Sequence, residues 1–307
     1  MLKKEDFEEI LKDYKIGTYK GHKHLENVLQ NYVYILKTNK GKYILKLMDN
    51  VNLKNMKKQL EVIDFLYKNK VPVVKNIKNR EGNEIVKYKK GSLVIQGFIK
   101  GNHPRRFNNL LTKDIGRNIG KMHKALLKFK EANRKNHNYT MKDLEKCIHS
   151  VMVRKIQNKL LKEIKKINKS KLKEARIHGD ISEVNLLVNK NKLNAFIDWD
   201  DSDYDYLVYE LSIFIAHSFV RSNTIYWNKI KIFLSEYQKY VKLNEEEKKA
   251  IYFLIKYRQF GIISWYLKYM GSHKGKYSQL KEGLKRSVNR LENFDKISLK
   301  EFLDKLK

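Results

Sequence analysis

Two short apolar runs near the middle of the chain, Leu186 to Val188 and Leu193 to Ile197, are separated by Asn189-Lys190-Asn191 and flanked by polar residues. Runs of this length bounded by turn formers read as strands, so the stretch predicts a hairpin. Asp180 and Asn185 then precede its first strand and Asp198 follows its second, which brings the two ends of the hairpin together. Upstream, NYVYILK (Asn31 to Lys37) and KYILKLM (Lys42 to Met48) predict a strand pair around a Thr38-Asn39-Lys40-Gly41 turn. A further hairpin is suggested at Asn79-Arg80-Glu81-Gly82-Asn83, and Leu93 to Phe98 reads as the last strand of this part. Helical spacing appears first in Phe7, Ile10, Leu11 and Tyr14, returns in Leu53 to Asn69, and prevails from Leu111 onward. Ile115, Ile119, Met122, His123 and Leu126 share one face, with His123 read as a packing or capping residue. Met141 to Lys173 reads as a charged amphipathic helix or helix pair, and Tyr204 to Val220 as a buried helix. Asn244 and Glu247 form a capping box that opens a long helix ending at Gly271.

The polar residues around the central hairpin carry chemistry. Phosphoryl transfer from ATP needs a carboxylate to receive the acceptor's proton and oxygen ligands to hold magnesium on the phosphates. His178-Gly179-Asp180, with Asn185 five residues beyond Asp180, has the spacing of a kinase catalytic loop. Magnesium takes hard oxygen ligands and usually only one or two carboxylates, so Asp198 can supply the carboxylate and Asn185 the carbonyl. Lys46, at the end of the apolar segment Tyr43-Ile44-Leu45, stands where a kinase lysine contacts the α- and β-phosphates. Lys42 is the second candidate. Glu61, on the next helical stretch, is the expected partner of Lys46.

HGDxxxxN followed by IDWDD resembles the aminoglycoside phosphotransferase and choline kinase superfamily, small-molecule kinases with a protein-kinase-like fold. Glu61, Leu66 and Val71-Pro72 fit the same pattern, and Gly179 stands where protein kinases have arginine, as is usual in that superfamily. The resemblance implies an α+β, two-lobed fold. A small sheet-plus-helix lobe, residues 1–97, would bind nucleotide, and a mainly helical lobe, residues 98–307, would carry catalysis and the acceptor. It also implies ATP and Mg2+ as cofactors and a small-molecule hydroxyl as acceptor. Asp180 would be the base, Asn185 and Asp198 the metal ligands, Lys46 and Glu61 the phosphate pair, and the backbone of Gly97, Phe98 and Ile99 the adenine contact. The sequence departs from the pattern in two places. No glycine lies between His22 and Lys40, which leaves the phosphate cover unassigned, and Tyr209-Glu210-Leu211-Ser212 replaces a Tyr-Asp-Leu-Ala whose role is structural.

Lys+Arg number 66 against 34 Asp+Glu, a formal charge of +32. A charge of that size raises nucleic acid as a partner. The basic residues are spread along the chain, however, and 11 of the 66 are arginine, the residue suited to bidentate phosphate and base contacts. Solvated faces are the reading adopted. Asp200, Asp201, Asp203, Asp205 and Glu210 form an acidic cluster in this basic background, and Asp200 and Asp201 are the expected contacts for an ammonium on the acceptor. The single cysteine, Cys147, excludes an internal disulfide. No run approaches the ~18 apolar residues of a membrane span, and the expected setting is cytoplasmic. A non-catalytic kinase-like binding module is the alternative to an enzyme.

Overall fold

A computed structural model describes residues 1–25, 32–49, 52–130, 151–272 and 277–307. The chain divides into two compact units. Unit 1 comprises residues 1–102 and 194–200, and unit 2 comprises residues 103–193 and 201–307. Neither unit is contiguous in sequence, since residues 194–200 belong to unit 1. Two hydrogen bonds tie the segment 194–200 to the rest of unit 1. Asn194 Nδ2 donates to the Lys100 carbonyl at 2.8 Å, and Phe196 N donates to the Pro72 carbonyl at 2.8 Å.

Unit 1 is built on a six-stranded antiparallel sheet. Its strands are β1 (Tyr19–His24), β2 (Tyr32–Thr38), β3 (Gly41–Asp49), β4 (Asn76–Ile77), β5 (Val86–Tyr88) and β6 (Gly91–Gly97), in the order β1-β2-β3-β6-β4 with β5 also on β6. Alternation decides the faces, because successive side chains of a strand point to opposite sides. Tyr34 and Leu36, Leu45 and Leu47, and Leu93 and Ile95 pack with Phe7, Ile10, Leu11 and Tyr14 of α1 (Lys4–Lys12) or the residues just beyond it. Each such side chain fully buried is worth about 1.5–3 kcal/mol. Lys46, between Leu45 and Leu47, therefore projects from the opposite face. The β2–β3 hairpin closes with Thr38 opposite Gly41, where Gly41 has φ +148°. The Asn79–Asn83 stretch does turn, with Asn79 N bonded to Asn83 O at 2.8 Å. Yet β4 and β5 on its two sides both pair with β6 and not with each other, so the expected hairpin there is a turn between two neighbours of a third strand. Helix α2 (Leu53–Lys68) is capped by Asn52, whose side chain accepts from Lys54 N and Asn55 N.

Unit 2 is mainly helical. Helices α3 (Asn109–Leu126), α4 (Val151–Ile164), α5 (Leu207–Ser218), α6 (Trp227–Tyr237), α7 (Glu245–Ser272), α8 (Tyr277–Asp295) and α9 (Leu299–Leu306) accompany two short ladders. One pairs β7 (Glu174–Ile177) with β10 (Asp203–Tyr206). The other is the central hairpin of β8 (Leu186–Asn189) and β9 (Lys192–Phe196). Helix α3 packs on α6, and α7 packs on both α5 and α8. Helix α5 is buried nearly all round, as a helix apolar on every face must be. The expected helix over Tyr204 to Val220 begins late, because the alternating Asp203-Tyr204-Asp205-Tyr206 pairs as a strand with β7 first. The capping box forms as read: Asn244 N donates to Glu247 Oε2 at 3.0 Å, and Glu247 N to Asn244 Oδ1 at 2.8 Å. Residues 141–150 of the expected charged helix, Cys147 and most of the segment before β2 lie outside the described residues.

Candidate active site

In unit 2 the site is a tight turn between β7 and β8. His178 N and Gly179 N donate to the two carboxylate oxygens of Glu210, at 2.6 and 3.1 Å. Glu210 is fully buried on α5, and His123 Nε2 lies 3.7 Å from it. His123 in turn contacts the Tyr237 hydroxyl through Nδ1 at 3.0 Å. A carboxylate inside the unit thus anchors the backbone of the turn. Gly179 has φ +85°, and a Cβ there would lie 2.3 Å from the Asp201 carbonyl oxygen. Glycine is required twice over, by conformation and by space. Gly179→Ala is expected to cost about 1–3 kcal/mol in backbone strain before the clash is counted. An unchanged urea midpoint would show that the turn relaxes freely.

The turn presents Asp180. Its Oδ2 accepts from Asn185 Nδ2 at 2.8 Å, and the same nitrogen is 2.8 Å from the Asp180 carbonyl oxygen. Asn185 closes a short 3-10 turn just before β8, which sets its side chain back toward Asp180. With Nδ2 engaged, its Oδ1 is the acceptor that remains. Asp180 Oδ1 is paired with Arg258 Nη2 of α7. Burial lowers the Arg258 pKa, but Asp180, Tyr209 and Asp201 more than offset this and hold the guanidinium charged. Arg258 was not among the residues expected from the sequence.

In unit 1 the candidate residues gather on Lys46. Its Nζ is 3.0 Å from Asp198 Oδ1 and 3.7 Å from Asp200 Oδ1. Burial acts to lower the Lys46 pKa, and the two carboxylates reverse the direction and raise it. Asp198 follows β9 with φ +64°, a left-handed conformation that aspartate tolerates better than most residues. Buried Trp199 comes next, and Gln59 Nε2 of α2 binds the Asp200 carbonyl oxygen at 2.7 Å. The partner expected for Lys46, Glu61, is exposed on α2. The ion pairs of Lys46 go to Asp198 and Asp200, in the segment 194–200 of the same unit. Lys42, the second candidate, points its ammonium over the Phe98 ring, 5.6 Å from the centroid. Gly97 N is bonded to the Lys75 carbonyl oxygen at 2.8 Å, and Phe98 and Ile99 are partly exposed beyond it.

Asp200 and Asp201 each act on a cation of their own unit, whereas burial and the neighbouring carboxylates push the Asp205 pKa up to about 7. Asp200 serves Lys46, Asp201 acts on Arg258, and Asp203 and Asp205 accept from the backbone N of Tyr204 and Tyr206. Among the described residues, no group of three or more His, Cys, Asp or Glu side chains is placed to hold a metal ion, and no helix is long and apolar enough to cross a membrane.

Residues 23–233 match the model of the phosphotransferase enzyme family. A homoserine kinase of Zymomonas mobilis is 27% identical over 241 residues, 74% of either chain. One from Bradyrhizobium diazoefficiens is 24% identical over 259 residues, covering 80% of this chain and 79% of its own. Among solved structures, an amicoumacin kinase in complex with AMP-PNP, Ca2+ and Ami superposes with a TM-score of 0.78 at 16% identity, covering 97% of this chain and 95% of that one. A microcompartment-associated aminopropanol kinase gives 0.76 at 14% identity, covering 94% and 96%. With the HGDxxxxN turn, the strand lysine and the fold in place, the chain belongs to the phosphotransferase enzyme family and is an ATP-dependent small-molecule kinase.

Proposed function

We propose that the enzyme transfers the γ-phosphoryl group of ATP to the hydroxyl of a small, amine-bearing molecule, using magnesium, with Asp180 receiving the hydroxyl proton. The bond from the acceptor oxygen to phosphorus forms as the bond to the bridging oxygen of ADP breaks. The observation that carries this reading is the fixation of Asp180. Arg258 and Asn185 hold its two oxygens, on a turn that Glu210 pins by the backbone. A base oriented in advance contributes about 10²- to 10⁴-fold.

The donors suit magnesium. Asp198 offers a half-exposed carboxylate, Asn185 offers Oδ1, and one or two such ligands are what the ion takes beside phosphate and water. These two residues would hold it, and the bound ion supplies neutralisation of charge on the transferring phosphoryl group. Lys46 would contact the α- and β-phosphates, with Asp200 in the orienting role expected of Glu61. The backbone of Gly97, Phe98 and Ile99 would meet adenine. Homoserine and aminopropanol, the compounds in the relatives' names, are both amine-bearing alcohols, which supports that acceptor class.

Asp198→Asn tests the metal role. Calorimetry should show MgATP binding weakened by about tenfold, the equivalent of about 1.4 kcal/mol, with metal-free ATP affected far less. Equal losses in both titrations would remove Asp198 from the metal site. Screening ATP consumption over small alcohols tests the reaction itself, and no turnover of any of them would refute it.

A further inference from the structure

Helix α5 serves the HGD turn from both of its ends. Glu210, in its first turn, holds the backbone of His178 and Gly179. His217 comes seven residues later. At 3.6 residues per turn, that spacing returns a side chain to within about 20° of the same face, about 10 Å further along the axis. The ring reaches the turn through one intermediary. Arg258 Nε donates to His217 Nε2 at 3.2 Å, and Arg258 Nη2 is paired with Asp180 Oδ1. The backbone of His217 is held as well: its carbonyl oxygen accepts from Arg221 Nη1 at 2.5 Å, and Arg221 lies 3.9 Å from Glu183, in the 3-10 turn that sets Asn185.

A guanidinium is a planar fork of donors with no acceptor. Nε and Nη2 lie in that one plane, so an acceptor on Nε fixes the direction in which Nη2 presents its hydrogens to Asp180. Without that acceptor the long side chain keeps its charge and loses its single orientation. Because Nε of arginine always donates, His217 Nε2 must be the bare nitrogen of the ring, with the proton on Nδ1. The surroundings favour this state: burial together with Arg258, Arg290 and Arg221 pushes the His217 pKa well below the usual range. The carboxylates nearby are committed to arginines, Asp180 and Asp201 to Arg258 and Glu183 to Arg221. Tyr209, also on α5, is a further neighbour of the Arg258 guanidinium.

We propose that His217, with its proton on Nδ1, is a positioning residue for the phosphoryl transfer: it fixes the guanidinium of Arg258 and, through it, the carboxylate of Asp180 toward the acceptor hydroxyl. This assignment rests on the reading of Asp180 as base.

The test uses the full chain with MgATP and, as acceptors, homoserine, aminopropanol, ethanolamine and choline. His217→Phe keeps a ring and removes the acceptor nitrogen. It is expected to lower kcat by about 10- to 100-fold, the range for a hydrogen bond to a charged group, with the KM for ATP unchanged. His217→Leu should reproduce the loss, so that one variant stands where the other does not fold. His217→Gln, whose Oε1 can take the place of Nε2, should restore most of the activity. Arg258→Gln should lower kcat at least as far, and adding His217→Phe to it should lower kcat no further, because the two residues act in series. Nitrogen NMR of the unmodified enzyme should show the His217 ring neutral, with Nε2 unprotonated, at neutral pH. A protonated ring, or a proton on Nε2, overturns the proposal whatever the kinetics. So does a glutamine variant as impaired as the phenylalanine one, a loss confined to the KM for ATP, or a loss that adds to that of Arg258→Gln. Full activity in His217→Phe or His217→Leu, with Asp180→Asn inactive, sinks this inference and leaves the proposed reaction standing. Full activity in Asp180→Asn, or no turnover of any alcohol, sinks both.

Discussion

Asp180→Asn is expected to lower kcat by about 10²- to 10⁴-fold while ATP still binds. The carboxylate is the proposed proton acceptor, and an amide has no basicity to replace it. The substitution also puts an NH2 group where the native oxygens accept from Arg258 and from Asn185 Nδ2, so one of these two donors loses its acceptor. Loss of the base and loss of its orientation therefore act in the same direction. ATP affinity should change little, because the proposed phosphate and adenine contacts are Lys46, Gly97, Phe98 and Ile99 and not Asp180. Steady-state kinetics with a turned-over acceptor, together with nucleotide binding by calorimetry, provide the check. Activity within threefold of the unmodified enzyme would remove Asp180 from the base position.

The largest effect on stability is expected from Glu210→Ala, at about 3–5 kcal/mol. Glu210 is fully buried and its two oxygens satisfy the backbone N–H groups of His178 and Gly179. Truncation leaves both donors without an acceptor in a place that water does not reach, and each orphaned group costs about 1–3 kcal/mol. His123, 3.7 Å away, loses its acidic neighbour as well. A fall in melting temperature on the order of 10 °C corresponds to that loss. Glu210→Gln should fall between the two, since its amide keeps one acceptor and loses the charge. A change below about 1 kcal/mol in the alanine variant would show that the turn is held by β7 and β8 without the carboxylate. Because the turn carries Asp180, kcat should fall in the folded fraction of either variant.

Local patterns were the legible part. The Tyr34/Leu36, Leu45/Leu47 and Leu93/Ile95 alternation marks strands, and it fixes Lys46 on the face opposite the α1 core. Spacing between residues close in sequence was readable as well: Asn185 reaches Asp180 across five residues because a 3-10 turn intervenes. Partners far apart in sequence were not legible. Arg258 meets Asp180 across 78 residues, and a chain with 66 basic residues gives no reason to single one out. A signal did exist. From Ile251 to Leu267 the sequence has two charges, Lys256 and Arg258, in a stretch otherwise dominated by apolar and aromatic residues. A charge in such a helix must find a counter-charge. Lys256 finds Asp295 at 2.8 Å, and Arg258 finds Asp180.

The acidic cluster shows the limit from the other side. Five carboxylates between Asp200 and Glu210 look alike in sequence, yet one pairs with the strand lysine, one acts on Arg258, two accept from the backbone N–H of the residue that follows and one anchors the HGD turn. The sequence by itself determined most of the strand and helix types and the approach of Asn185 to Asp180 in the HGDxxxxN turn, because hydrophobic period and short spacings are properties of contiguous residues. Only the tertiary structure decided which charge meets which. Burial sets the strength of each charge's interaction, and only folding sets that burial and brings distant residues such as Arg258 and Asp180 into contact.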